Sequence, residues 1–338
     1  MKIAIIGSNS IDSLEFNLKD ALEYRGEEAN IFDVYNQWYY HNPATAHYCR
    51  TIDVLFRKYS ERYDVGVFHK LLRKVLSYGP DLVIGVYRFI HPDFVKQIKL
   101  SGIRIIHVNP DALTTFEMQQ LFVEPYDVYF TKDPYIVHCM RDNMKLKVNL
   151  YNEAFNPRYH KKPKQLKCEC EDDVNVDVMT YGTIYPYRVR MLSELLKHDI
   201  NLKIYGVKPH RFYNHLLDGA FQNRYIVGEE KSQLLYGAKI VFNQMHYAEI
   251  ESVNNRFFEV NGSGAFQLSD YRPILKELLP IDPELVSFRS IDEGIDKIKY
   301  YLAHPQERYN IANEIYEYFI QNYTYDQLVN YILDNSFS

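Results

Sequence analysis

The chain has 338 residues, with 39 Lys and Arg against 44 Asp and Glu, a formal net charge of -5, 46% hydrophobic and 25% charged residues. That composition describes a globular protein, and the length exceeds what one hydrophobic core fills, so two domains are expected. A net negative charge argues against non-specific binding to nucleic acid, which draws mainly on phosphate neutralisation. The charge is uneven: residues 1–167 hold 23 cations to 19 acids, and the remainder 16 to 25. The longest apolar runs, such as Leu82 to Val86, are too short to span a bilayer, and Met1 to Gly7 reads as a strand rather than a signal peptide, which points to a cytoplasmic protein. Cysteines at 49, 139, 168 and 170 do not form a disulfide framework, and Cys168-x-Cys170 lacks the second pair that a structural zinc site needs.

Taken in order, Lys2 to Ile6 is an apolar strand ending at Gly7, and Leu14, Leu18, Ala21 and Leu22 recur at helical spacing before a strand at Ala29 to Val34. The polar loop Ser8 to Asp12 then stands at the C-terminal edge of a parallel strand, where open sheets place ligands. No G-x-G-x-x-G follows the first strand, which disfavours a nicotinamide or flavin cofactor. Residues 35–78 crowd Tyr35, Trp38, Tyr39, Tyr40 and His41 ahead of helical segments bearing Arg50, Arg57, Arg62 and Arg73. Aromatics interleaved with cations suit a polyanion, while the plainer reading makes them core and solvated helix faces.

Short buried strands then alternate with helices: Asp81 to Val86, Ile103 to Val108, Asp127 to Thr131 and Lys147 to Tyr151. This is a parallel, doubly wound sheet. Its loop tops carry His91 and Asp111, which can serve an acceptor hydroxyl as base or hydrogen-bonding orienter, or merely start and cap helices. Residues 152–173, with few apolar side chains, read as the inter-domain connection.

The pattern restarts with a strand at Val174 to Tyr181, a turn at Gly182-Thr183 and a helix at Pro186 to Leu196. Arg188 lies in the first helical turn, an unfavourable place for a cation unless an anion binds there; a surface arginine is the alternative. After Ala238 to Asn243 comes the stretch Glu251 to Phe266, with two glutamates separated by seven residues and an Asn N-cap at 254 or 255 between them. One carboxylate then stands in the entry loop and the other on the helix, flanking free amides suited to a diphosphate. Solvated helix-face charges are the plainer account of the pair.

Ile240-Val241-Phe242-Asn243, Arg256-Phe257-Phe258-Glu259 and Gly264-Ala265-Phe266-Gln267-Leu268, with Tyr300 to Arg308 and Tyr323-Thr324-Tyr325 after them, resemble the group 1 glycosyltransferases, especially the CgeB-like branch. The resemblance implies an α/β chain of two facing Rossmann-like domains (glycosyltransferase fold B), with a C-terminal helix crossing back to the first. It implies an acceptor domain over 1–162 plus 320–338 and a nucleotide-sugar domain over 163–319. It also implies a nucleotide-diphosphate donor, UDP-sugar favoured, transferred with retention to a hydroxyl of a carbohydrate or glycoconjugate. Glu251 would hold the donor sugar and Glu259 the ribose. Arg188, Asn255, Arg256, Gly182 and Thr183 would surround the diphosphate, Val227 would meet the base, and Asn243 would lie near the sugar. With no Asp-x-Asp pair in a strand-end loop, arginines and helix amides would neutralise the diphosphate without an obligatory metal or other cofactor. Rival readings are a hydroxymethylated pyrimidine in DNA as acceptor, with the base stacked on Trp38 or Tyr40, a nucleotide-sugar epimerase or hydrolase, and a non-catalytic binding protein.

Overall fold

The computed structural model describes residues 1–337 apart from 38–42, 115–118, 210 and 212, with 36–37 and 43–47 described by backbone only. The chain divides into a first unit, residues 1–152 with 326–338, and a second, residues 153–325. Residues 153–162, placed with the first domain from sequence, lie with the second unit.

In the first unit the elements are β1 (Lys2–Ile6), α1 (Leu14–Tyr24), β2 (Glu28–Phe32), α2 (Pro43–Tyr59), α3 (Glu61–Tyr78), β3 (Leu82–Gly85), α4 (Pro92–Leu100), β4 (Arg104–Asn109), β5 (Val128–Thr131), α5 (Pro134–His138) and β6 (Val148–Leu150). All six strands are parallel, in the order β2-β1-β3-β4-β5-β6. Ile3 to Ile6 and Leu82 to Ile84 are buried on both faces, as strands covered by helices on each side must be. Local signals agree with the elements: Ser13 caps α1 through Phe16 N, and Ser60 caps α3 through Tyr63 N.

The second unit contains α6 (Lys167–Val174), β7 (Val176–Tyr181), α7 (Pro186–Leu195), β8 (Leu202–Tyr205), α8 (Gly228–Gly237), β9 (Ala238–Asn243), α9 (Asn255–Gly262), β10 (Gln267–Asp270), α10 (Leu275–Leu278), β11 (Ser287–Phe288), α11 (Ile291–Ala303) and α12 (Pro305–Asn322). Its five strands are parallel in the order β11-β10-β9-β7-β8. Phe242 stacks on Phe288 at 5.0 Å inside a core that runs through Leu192, Leu268, Ile298 and Phe319.

The last helix, α13 (Tyr325–Ser336), joins the first unit, where the Tyr331 hydroxyl donates to Leu150 O at 2.8 Å and its ring meets Phe130 edge-on. The stretch 152–173 is not all connection, because α6 is helical from Lys167. One of its charges is internal: Glu171 accepts from the buried Arg308 at 2.6 Å and from the Tyr309 hydroxyl at 2.9 Å. A helix anchored by ion pairs shows no apolar period in sequence. Among the described residues no helix is long and apolar enough to cross a membrane.

Candidate active site

In the second sheet β7 pairs with both β8 and β9, so the winding reverses between β7 and β9, and ligands of open α/β sheets bind outside the C-terminal ends of such strands. There Gly182 turns the chain at φ +92° into the loop before α7. Its amide donates to Tyr205 O at 2.9 Å, and Gly206 passes so close that a Cβ on it would stand 2.6 Å from Gly182 O. A Cβ on Gly182 would lie 4.0 Å from both Arg188 Nη1 and Arg256 Nε, so two guanidinium groups converge on this turn.

Arg188 is 0% exposed and is no surface cation. It donates to Gln244 Oε1 at 3.0 Å, Thr183 O at 2.5 Å, Thr180 Oγ1 at 2.7 Å and Tyr181 O at 3.1 Å. Arg256 donates to Tyr181 O at 3.1 Å and Gln244 O at 3.5 Å. Neither pairs with a carboxylate within ion-pair distance among the described residues. Burial, then the charge of Arg256, holds the Arg188 guanidinium below its ordinary pKa. Two adjacent cations with neutral partners make a site that gains from an anion. Beside them the Gln244 Nε2 amide is buried without a hydrogen-bond partner among the described residues.

The N-terminus of α9 faces the same strand ends. Asn254 is the N-cap, accepting from Phe257 N at 3.1 Å, and Asn243 holds it with paired amide bonds of 3.0 Å while also donating to Gln267 Oε1 at 2.8 Å. The amides of Asn255 and Arg256 precede the first intrahelical acceptor and stay available at the positive end of the helix. One turn on, Glu259 is 4% exposed. Its Oε2 accepts from the Tyr181 hydroxyl at 2.7 Å, and its Oε1 from Asn255 Nδ2 at 2.9 Å and Lys231 Nζ at 3.0 Å, with His160 Nε2 at 3.7 Å. Burial alone would push this carboxyl up, but Lys231, His160 and Tyr181 together hold it below the usual range. At the end of β10, Asp270 accepts from Met245 N at 2.6 Å, and burial pushes its carboxyl up to about 6 against the pull of that amide and of Arg272, Arg256 and Arg188.

In the first unit the winding reverses between β1 and β3. Glu15 is buried there and accepts from Ser8 N at 2.8 Å, while Asp33 accepts from Tyr35 N at 2.9 Å and from the Tyr87 hydroxyl at 3.3 Å. A cavity of 380 Å³ opens next to them, lined by Tyr35, Phe89, Val54, Arg57, Lys58 and Gln120.

The glycosyl transferase-like family profile matches residues 188–334. Spore protein CgeB of Bacillus subtilis (strain 168) is 23% identical over 270 residues, covering 70% of this chain and 80% of CgeB. These two matches support a group 1 glycosyltransferase of the CgeB-like kind. Its fold is that of sucrose-phosphate synthase from Thermosynechococcus elongatus, TM-score 0.69 at 12% identity over 98% of this chain and 97% of that one. Anabaena HepE, solved in complex with UDP and glucose, superposes with TM-score 0.65 at 11% identity over 99% of each chain.

Of the residues singled out from the sequence of this chain, Gly182, Thr183, Arg188, Asn255, Arg256 and Glu259 come together. The solvated-face account of Glu259 fails. Glu251 stands, partly buried, in the segment before α9. Asn243 is buried and spends its amide on Asn254 and Gln267, so it positions the cap rather than meeting a ligand. Val227 is extended and exposed at the N-cap of α8, one turn before Lys231. In the first unit His91 is the N-cap of α4, its Nδ1 accepting from Asp93 N at 3.1 Å, and Asp111 is exposed with Oδ2 3.5 Å from Arg88 Nε. Trp38 and Tyr40 lie outside the described residues, and Arg57 is tied to Asp64 at 2.6 Å rather than open to a phosphate. Sequence reasoning missed Tyr181, Lys231, His160 and Asp270. Lys231 follows two glutamates and looks like a solvated helix face; only the pairing with Glu259 reveals it.

Proposed function

We propose that this glycosyltransferase takes its sugar from a UDP-linked donor and passes it, with retention, to a hydroxyl of a carbohydrate or glycoconjugate. The observation that carries the reading is the convergence of Arg188 and Arg256 beside the first amides of α9, with no carboxylate paired to either guanidinium. In the reaction the anomeric carbon gains a bond to the acceptor oxygen, its bond to the diphosphate oxygen breaks, and the hydroxyl proton passes to the departing diphosphate. Arg256 and the α9 amides meet the charge that develops on the departing diphosphate, while Arg188 fixes the Thr183 and Gln244 backbone and side chains around it. These cations replace a metal as the counter-charge. Glu259 orients Asn255 and takes a ribose hydroxyl on its remaining lone pair, and Glu251 contacts the donor sugar. HepE, bound to UDP and glucose in its own structure, supports UDP as the carrier.

The acceptor lies at the strand ends of the first sheet, near His91 and Asp111, beside the cavity that Tyr35 and Phe89 line. The test is incubation with labelled nucleotide sugars, with and without saccharides or a hydroxymethylcytosine-containing duplex. Acceptor-dependent transfer from a UDP-sugar supports the reading. Turnover without acceptor indicates an epimerase or hydrolase, and saturable binding without turnover a binding protein.

A further inference from the structure

Along α2, Arg50, Val54, Arg57 and Lys58 recur at intervals of four, three and one residues, which places them on one face of the helix. Val54, Arg57 and Lys58 line the 380 Å³ cavity of the first unit with Tyr35, Phe89 and Asp64, and the Arg50 guanidinium stands 4.6 Å from the centre of the Tyr35 ring. Arg57 is built in rather than solvated. Its side chain is 8% exposed, and its guanidinium lies 4.9 Å from the ring centre of Phe89, 5.3 Å from that of Phe68 and 5.6 Å from that of Tyr35. Nε donates to Asp64 Oδ1 at 2.6 Å, which balances the charge, but Nη1 and Nη2 have no acceptor among the described residues. A buried guanidinium with unmatched amino groups on the wall of a cavity gains from oxygens placed there. The uncompensated charge on this face is that of its neighbours: Arg50 and Lys58 are exposed, and neither has a carboxylate within ion-pair distance among the described residues. Nearby acids are engaged elsewhere, Asp53 buried and accepting from the Tyr63 hydroxyl at 2.8 Å, Asp33 accepting from Tyr35 N and the Tyr87 hydroxyl.

We propose that this cavity holds a sugar ring bearing a carboxylate or a phosphate ester, so that the acceptor is an anionic saccharide. Placing that ring on the acceptor rests on the transfer reading given above; the preference of the cavity for a charged sugar does not. Its volume is one that a small ligand fills, and a nucleic-acid duplex does not enter it. The Arg57 amino groups donate to oxygens of the ring substituents, and Lys58 with Arg50 supplies the counter-charge that Asp64 denies from Arg57. A neutral sugar would use the first set of contacts and leave the second idle.

The experiment is an NMR titration of the full chain, without donor, with methyl glucuronide, glucose 6-phosphate, methyl glucoside and inorganic phosphate. One of the two charged sugars should bind about tenfold tighter than methyl glucoside, and which one does so separates carboxylate from phosphate ester. High salt should narrow the difference. The Arg50→Gln/Lys58→Gln double variant should lose most of that preference while its affinity for methyl glucoside and its melting curve stay as in the parent. Lys96→Gln, on exposed α4 surface, should keep the preference. Equal affinity for charged and neutral sugars, no binding of either charged sugar, or a preference untouched by the double variant overturns the proposal. So does inorganic phosphate bound as tightly as glucose 6-phosphate, which would make this a site for a bare anion. Transfer is then assayed separately with the same sugars. A charged sugar that binds in this pattern but receives nothing from any nucleotide sugar keeps the cavity assignment and sinks the transfer reading, whereas transfer to the neutral sugar alone keeps that reading and sinks the anionic acceptor.

Discussion

Lys231 Nζ lies 3.0 Å from Glu259 Oε1, and the two side chains are only 4% and 5% exposed. A buried pair of this kind adds little over an apolar pair, yet removing one member leaves the other charge without compensation. Glu259→Gln should therefore cost about 3 to 5 kcal/mol of folding stability in urea titrations. Lys231→Met in the Glu259→Gln background should recover part of that loss. If the folded variant survives, its affinity for UDP-glucose should fall by about 1 to 3 kcal/mol in calorimetry. An unchanged affinity would remove Glu259 from the donor site.

The two converging arginines should separate by phenotype. Arg256 is only partly buried and bonds to two carbonyls, so Arg256→Ala should leave stability within about 1 kcal/mol while weakening UDP binding tenfold or more. Arg188 is wholly enclosed, and Arg188→Ala leaves Thr180, Gln244 and two carbonyls unmatched. That variant should unfold at markedly lower urea. Equal effects on binding and stability at both positions would contradict this division.

If the leaving diphosphate lies against Arg188 and Arg256 as proposed, turnover should persist in excess chelator, because those cations supply its counter-charge. Activity lost in chelator and restored by magnesium or manganese would contradict it.

Asp270 gives a pH signature of definite sign. Its folded carboxyl titrates near 6, above its ordinary range, so at intermediate pH the native state keeps a proton that the unfolded chain has released. Its contribution to stability therefore falls as the pH rises from about 4 through 6. Glu259, held below its ordinary range, acts oppositely: its contribution is lost as the pH falls through its folded pKa. Asp270→Asn should flatten the descending limb between pH 4 and 6 in denaturation midpoints measured across that range. UDP-glucose binding should tighten as protonation of Asp270 removes a negative charge beside the arginines. A binding profile identical in Asp270→Asn would place Asp270 outside the site's electrostatics.

Much of this fold could be read from local signals. Lys2–Ile6, Leu202–Tyr205 and Ala238–Asn243 are strands where apolar runs end in turn residues, and Asn254 caps α9 as its position before Arg256-Phe257-Phe258-Glu259 suggests. Helix α6 escaped because its buried contacts are ionic, through Glu171 and Lys167, and pattern reasoning counts only apolar contacts. The site was legible as a neighbourhood, not as a set of roles. Nothing near Arg188 in sequence says that its donors are taken by Thr180, Thr183 and Gln244, since Gln244 lies 56 residues away. Asp270 was invisible for the same reason: its meaning comes from Met245, 25 residues earlier, and from Arg188 and Arg256 on other elements.

The attachment of α13 to the first unit has a consequence for biogenesis. Leu328, Val329, Ile332 and Leu333 are buried, yet they are translated after every strand of the first sheet and after the whole second unit. The β1–β6 sheet can pair while the second unit is still being made, but the surface that α13 covers stays uncovered until α13 itself has been translated. During that interval the nascent chain presents an apolar face to holding chaperones or to neighbouring chains, and a premature stop before Asp326 would make the interval permanent. Truncated products of this chain should accordingly aggregate through a first unit whose sheet is otherwise formed.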